Sequence, residues 1–406
     1  MKALLVVADY FDIDYDLNES IEELKKLTVA CHMQVENIVV QHIHKKTPQY
    51  YIGKGKVEEI ALMIDDVDIV IFNEELTPLQ MKNLSDIFLK EVSDRSDLIL
   101  RIFETRAKTK EAKLQVKIAR SEYMLPRIAG MRKDIYSQQG GMGFRGSGEK
   151  QIELDKRLIR KQIASYQKEL AQLVTIRETQ RKKRNKHEQK KISLVGYTNS
   201  GKSSLLNLFT HKEVFQKDML FATLDTSVRS IQLKNNQKVL MSDTVGFINQ
   251  LPHHLVKAFR STLEEIKEAD LILHVVDSSS LHLSKHIETT NEVLEQLGVK
   301  DIPVIYVYNK IDKIQETIFV PHDPYVLVSI KNKYNIDELQ DLIISLLYKD
   351  YEDIELFIPY NKGEDYQYLK YNYKCQEEFL ENGIKIKLSI SPKDYHRFIE
   401  YNQKIQ

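Results

Sequence analysis

The stretch KISLVGYTNSGKSSLLNLF, Lys191 to Phe209, decides the fold of this chain. ISLV reads as a buried strand, Gly196 to Ser203 matches G-x-x-x-x-G-K-[ST], and SLLNLF opens a helix. A strand that turns through glycines into a helix makes a phosphate cradle. The glycines let backbone N–H groups point inward, at the positive end of the helix dipole. Gly196, Tyr197, Thr198, Asn199, Ser200, Gly201, Lys202, Ser203 and Ser204 are the candidates for phosphate binding. Lys202 is placed to reach the β- and γ-phosphates, and the Ser203 hydroxyl to bind Mg²⁺. The expected architecture is α/β, a mostly parallel sheet with the nucleotide at the strand carboxyl ends.

Three further motifs complete the site. MSDTVGF follows the strand QKVLM; Asp243 ends that strand, placed to hold the magnesium shell through water. Thr244 and Val245 lead to Gly246, whose N–H can meet the γ-phosphate and sense its departure. PVIYVYNKID supplies base selection through Asn309, Lys310, Ile311 and Asp312. The Asp312 carboxylate can accept from guanine N1–H and the 2-amino group, a pair that adenine does not present. The Lys310 stem can lie over the base, and Ser329, Ile330 and Lys331 fit the last guanine-side loop more loosely. FATLDTS sits where the first switch belongs, with Phe221, Ala222, Thr223, Leu224 and Asp225 near the nucleotide. Thr223 is the choice for the threonine that binds magnesium and closes on the γ-phosphate; Thr226 is its rival. Lys202, Thr223 and Gly246 are the groups expected to act on the transferring phosphoryl.

Two positions depart from common GTPase usage. Phe247 directly follows D-x-x-G, where a water-orienting glutamine often stands. Phenylalanine cannot orient water, so slow hydrolysis by the free protein and stimulation by a partner are expected. Asn199 stands where some GTPases hold a potassium ion with an asparagine oxygen. A loop asparagine bonded to its own backbone is the other reading, and the two remain open.

Around this core, residues 1–104 alternate strands with helices, as a small parallel sheet requires. ALLVVADY, ENIVVQHI, VDIVIFN and DLILRIF read as strands; SIEELKKLTVAC, KVEEIALMI and TPLQMKNLSDIFLKEV read as helices. Residues 105–190 form a helical hairpin. Ile159, Ile163, Tyr166, Leu170 and Leu173 recur at coiled-coil spacing, and Ala107, Leu114, Ile118 and Leu125 fit the same seam. Between the arms lies a glycine-rich tip, Gln138 to Glu149, expected to be non-helical. A nucleotide-binding domain over 191–350 and a small α+β domain over 351–406 complete the reading, the latter with an Asn382-Gly383 turn.

The chain has 406 residues and zero formal net charge. Between Thr105 and Lys191, however, stand 24 Lys and Arg against 9 Asp and Glu, an excess of +15 that suggests an anionic partner, nucleic acid first. The two cysteines, Cys31 and Cys375, cannot make a disulfide framework, and no apolar run approaches the roughly 20 residues of a membrane span. The opening MKALLVVADYFD reads as a first strand rather than a signal peptide. A cytoplasmic protein is expected. His253 and His254 read as structural or partner-facing, and neither the histidines nor the cysteines have metal-ligand spacing.

With those residues in view, the sequence resembles the HflX family of ribosome-associated GTPases over nearly its whole length. The likeness is carried by YYIGKGKVEEI, FNEELTPLQ, AKLQVKIARSEYMLPRIAGM, GGMGFRGSGEKQIELDKRLIR, GYTNSGKS, FATLD and DTVGFINQLPHHLVKAFRSTLEE. Ser147 and Lys150 stand where that family usually shows proline and threonine. The resemblance implies GTP hydrolysis with Mg²⁺ and binding to the large (50S) ribosomal subunit. It further implies splitting or rescue of stalled or idle ribosomes, with the hairpin tip toward the peptidyl-transferase region. Arg145, Lys150, Arg181, Lys182, Lys183 and Arg184 then become candidates for rRNA contact, and a monomer off the ribosome is expected. The alternative is a regulatory GTPase gripping a protein partner through the hairpin. A GTPase of RNA modification would need a second catalytic site, which the sequence does not offer.

Overall fold

Three sheets arise from the alternation of apolar runs and amphipathic stretches. The computed structural model describes residues 1–10, 16–128, 145–184, 189–210, 220–221, 223–224, 227–249, 264–314 and 322–402, with backbone alone at 10, 145–150, 177–184 and 264. By packing, the chain divides into two units: 1–184 with 217–225 and 248–262, and 185–216 with 226–247 and 263–406.

The first unit opens with β1 (Lys2–Tyr10), α1 (Leu17–Ala30), β2 (Gln34–Ile43), α2 (Lys54–Ala61), β3 (Ile69–Phe72), α3 (Pro78–Phe88) and β4 (Glu91–Asp94). The four strands are parallel in the order β2-β1-β3-β4. Ala3 to Ala8 are buried without a break, as a strand covered on both faces must be. Asp16 caps α1, and a reciprocal Thr77–Gln80 capping box with Pro78 in the first turn starts α3.

One expected strand is a helix. DLILRIF lies in α4 (Arg95–Arg106), and the fourth strand is β4, drawn from the end of the expected third helix. The apolar run suits either element by periodicity. The Asp94 side chain decides, accepting the N–H of Asp97 at 2.9 Å and so capping α4. α4 then buries Leu98, Ile99, Leu100, Ile102 and Phe103.

The hairpin arms are α5 (Lys110–Met124), capped by Thr109, and α6 (Arg145–Arg184). Along α6 Ile163 is buried and Ile159, Tyr166, Leu170 and Leu173 are partly buried; α6 packs against α5, where Leu114 and Ile118 are buried. Lys110 pairs with Glu169 at 2.6 Å, and the Lys117 ammonium lies over the Tyr166 ring. Ala107 belongs instead to the end of α4, as its C-cap. The expected tip is shorter than the sequence suggested. α6 begins at Arg145, so Gly146 and Gly148 lie in its first turn, where N–H groups lack helical partners in any helix. Residues 138–144 lie outside the described ones.

The second unit contains β5 (Lys191–Val195), α7 (Lys202–Phe209), β6 (Ser227–Gln232), β7 (Lys238–Asp243), β8 (Leu271–Asp277), α8 (Leu283–Gln296), β9 (Val304–Asn309), β10 (Tyr325–Leu327) and α9 (Ile336–Leu347). Its sheet runs β10-β9-β8-β5-β7-β6, parallel except for β6. A core of Leu194, Leu205, Met241, Leu273, Val307 and Ile343 joins sheet to helices. β11 (Glu352–Pro359), α10 (Gly363–Asn372), β12 (Gln376–Leu380), β13 (Gly383–Ile390) and α11 (Pro392–Phe398) end the chain as an antiparallel sheet, β11-β13-β12, with two helices. The turn sits one residue earlier than expected, on Glu381 and Asn382, with Gly383 already in β13.

Candidate nucleotide site

The phosphate loop joins β5 to α7, as its sequence requires. Gly196 has φ +142°, and a β-carbon there would stand 2.2 Å from the carbonyl oxygen of Val275. Gly201 has φ +108°, and its β-carbon would stand 2.3 Å from Asn309 Nδ2. Both positions demand glycine by conformation and by space. Lys202 is buried, its ammonium donating to the carbonyls of Gly196 at 3.0 Å and Tyr197 at 2.8 Å. Burial pushes Lys202 down to about 8; the Asp243 carboxylate opposes that shift and Lys310 adds to it. The hydroxyls of Thr198 and Ser200 are buried with no hydrogen-bond partner among the described residues. Buried donors normally find acceptors, so this loop is suited to an oxygen-rich anion.

Asp243 ends β7 beside the start of α7, and the Ser203 hydroxyl donates to its Oδ2 at 2.5 Å. These two hard oxygen donors at a phosphate loop suit Mg²⁺, which takes one or two protein ligands and completes its shell with phosphates and water. The Thr244 hydroxyl instead donates to the Leu194 carbonyl at 2.7 Å, and Val245 is buried; their side chains serve the fold. Gly246 lies against the loop: a β-carbon there would meet Thr198 Cα at 2.9 Å and Lys202 Nζ at 3.1 Å. Phe247 bonds through its main chain to Gly196 and Thr198, while its ring is buried with Val195, Ile266, Ile272 and Leu294. A core aromatic, then, occupies the place of a water-orienting side chain.

On the base side, Asn309 Nδ2 donates to the Ser200 carbonyl at 2.9 Å and Asn309 Oδ1 accepts the Ile330 N–H at 3.1 Å. One side chain thus ties the phosphate loop to the loop of Ser329, Ile330 and Lys331. Asp312 is exposed, and the Ser329 hydroxyl donating to it at 2.6 Å is the chief reason its carboxyl lies below the usual range. An ionised, solvent-facing carboxylate is what guanine recognition needs. Ile311 follows in a short 3-10 turn, and Lys310 has φ +67°. Asn199 is exposed with φ +63°, its carbonyl accepting from Lys310 at 2.8 Å.

The structure brings together the phosphate loop, Asp243, Gly246, Asn309, Lys310, Asp312 and Ser329. Phe221, Thr223 and Leu224 pack within the first unit, Phe221 edge to face with Phe103 at 4.8 Å. Ala222, Asp225, Thr226, His253 and His254 lie outside the described residues. So do the side chains of Arg145, Lys150, Arg181, Lys182, Lys183 and Arg184. One participant was absent from the sequence candidates: Asp277, whose carboxylate meets Lys310 at 2.6 Å. An acidic residue closing the apolar strand LILHVVD was its signal.

Family profiles match three consecutive parts of the chain: GTP-binding GTPase N-terminal at 18–104, GTP-binding GTPase middle region at 106–184, and 50S ribosome-binding GTPase at 191–310. The GTPase HflX of Caldanaerobacter subterraneus subsp. tengcongensis is 42% identical over 92% of this chain and 88% of its own. That of Escherichia coli K12 is 38% identical over 77% of this chain and 74% of its own. The chain belongs to the HflX family of GTPases. This HflX protein is also similar in structure to the GDP complex of SsGBP, with TM-score 0.50, 26% identity, and coverage of 86% of this chain and 99% of the other. As an HflX protein with a P-loop GTPase fold, it hydrolyses GTP. No helix among its described residues is long and apolar enough to cross a membrane.

Proposed function

We propose that this HflX protein binds the large ribosomal subunit in its GTP form and splits or rescues stalled or idle ribosomes. The observation that carries this reading is the match of residues 191–310 to the 50S ribosome-binding GTPase profile. The +15 excess between Thr105 and Lys191 supports it, because a basic stalk tracks RNA phosphates. In this reading 1–104 is an α/β subdomain, 105–190 the hairpin, 191–350 the G domain and 351–406 a C-terminal domain. The protein acts in the cytoplasm and is a monomer off the ribosome, and Arg145, Lys150 and Arg181 to Arg184 meet rRNA.

Catalysis by this chain is positioning and charge stabilisation. The inward N–H groups of the phosphate loop and the Lys202 ammonium hold the β- and γ-phosphates. Ser203 and Asp243 would hold Mg²⁺, Asp243 through water. When bound, that ion would neutralise charge on the β- and γ-oxygens. Gly246 offers its N–H to the γ-phosphate, and Asp312 selects guanine. Phe247 leaves the attacking water without a side-chain partner at that position, so the large subunit is expected to complete the site.

The test is GTP hydrolysis with and without purified large subunits at low and moderate salt. Strong, salt-sensitive stimulation is the expected result. Equal rates in all four conditions, with GTP still bound, would overturn the ribosomal reading and favour a protein partner for the hairpin.

A further inference from the structure

We propose that Asp277 is a positioning residue for guanine-nucleotide binding, acting through Lys310; the proposal rests on the GTPase reading of the site. Asp277 is the last residue of β8, and its register partner on β9 is Asn309, the first residue of the base-recognition motif. The Ser278 N–H donates to the Asn309 carbonyl at 2.9 Å, so the turn after β8 is fastened to the strand end that delivers Lys310.

Both oxygens of the carboxylate are used. Oδ1 accepts the N–H of Ser279 at 3.1 Å and its hydroxyl at 2.6 Å, which fixes the carboxylate plane. Oδ2 accepts from the Lys310 ammonium at 2.6 Å. That ammonium also donates to the Asn199 carbonyl at 2.8 Å, so Lys310 spans the phosphate loop and the β8 turn. Its side chain is only 17% exposed and that of Asp277 21%.

A free lysine loses rotamer entropy when it is fixed in one geometry. Here the carboxylate and the carbonyl fix it before a base arrives. Preorganisation of this kind strengthens binding by removing an ordering cost. Because Lys310 belongs to the base side, the benefit does not depend on the γ-phosphate. Loss of Asp277 should therefore weaken GTP and GDP by the same factor, and the effect should fall on KM rather than kcat.

The experiment is a double-mutant cycle with D277A, K310A and the double variant on the full chain. It measures binding of ribose-labelled fluorescent GDP, competition by unlabelled GTP, and steady-state hydrolysis. D277A is expected to weaken both nucleotides three- to tenfold, and to add less than twofold when Lys310 is already alanine. An equal loss in the K310A background, a loss confined to GTP, or no loss would each overturn the proposal. D277N keeps the side-chain volume and the Ser279 contacts, and carries the same test should D277A fail to fold. Melting of the nucleotide-free variants separates general destabilisation from the coupled effect. Failure of the unmutated protein to bind guanine nucleotide would instead overturn the site itself.

Discussion

Arg95 and Glu23 form a buried ion pair across the first unit, Nη2 to Oε2 at 2.6 Å, though 72 residues separate them. Arg95 is the first residue of α4 and Glu23 lies on α1. The same Nη2 donates to the Asn249 carbonyl at 2.9 Å, and Asn249 Nδ2 donates to Glu19 at 3.2 Å. Asn249 stands three residues beyond Gly246. Within the first unit, Asn249 is thus held by Arg95 of α4 and Glu19 of α1.

Removing one partner of such a pair leaves the other charge buried. Arg95→Met is expected to destabilise the first unit by about 3–5 kcal/mol, whereas Arg95→Met with Glu23→Gln recovers most of the loss. Amide hydrogen exchange over α1 and α4 would read this locally. Equal loss in the single and double variants would show that packing, not the orphaned charge, is the cause.

Gly201 and Gly298 both have positive φ, but only Gly201 is crowded: nothing lies within 4 Å of a β-carbon at Gly298. Gly201→Ala should displace Asn309 and weaken GDP binding about five- to 150-fold, from strain of about 1–3 kcal/mol. Gly298→Ala should lower stability slightly and leave GDP affinity unchanged. Calorimetric titration of both variants decides it.

Lys202 supplies a pH dependence of binding. Its free-state value of about 8 must rise when phosphates replace carbonyls around the ammonium, because the anion favours the charged form. Affinity for GDP is then full below pH 8 and falls up to about tenfold per unit as pH rises above it. A Lys202→Met variant, already weak, should show no such slope between pH 7.5 and 9.

His274 supplies one of stability. It is buried in β8 against Tyr306, and burial first, then the charges of Lys202 and His322, push it down to about 3. The unfolded chain takes up this proton near pH 6.5 and the folded chain does not. Stability from this group is thus fully present above pH 6.5 and is lost as pH falls, at up to about 1.4 kcal/mol per unit. Asp94, in the first unit, has the opposite sign: burial raises it to about 6, so it gives up stability as pH rises through that value. His274→Leu should flatten acid destabilisation of the second unit between pH 6.5 and 5, measured by exchange of the β8 amides.

Much of the candidate nucleotide site was legible because phosphate chemistry is local. Gly196, Gly201, Lys202 and Ser203 sit within one strand, turn and helix, so their spacing already carries the geometry. Asn309 and Asp312 were legible for the same reason, lying on one strand end. DLILRIF was misread because a buried apolar run has no period, and the deciding cap at Asp94 lies outside it.

Contiguous residues and their backbone conformation are enough for the α/β class, the phosphate-loop motif and the guanine motif. Long-range packing is what brings Asp277 to Lys310 and Arg95 to Glu23 and Asn249. It also decided that Phe247 turns into the core, with no side chain offered to water. Those outcomes depend on which strand ends and helix faces are brought within about 3 Å of each other, and chain order alone does not encode such approach.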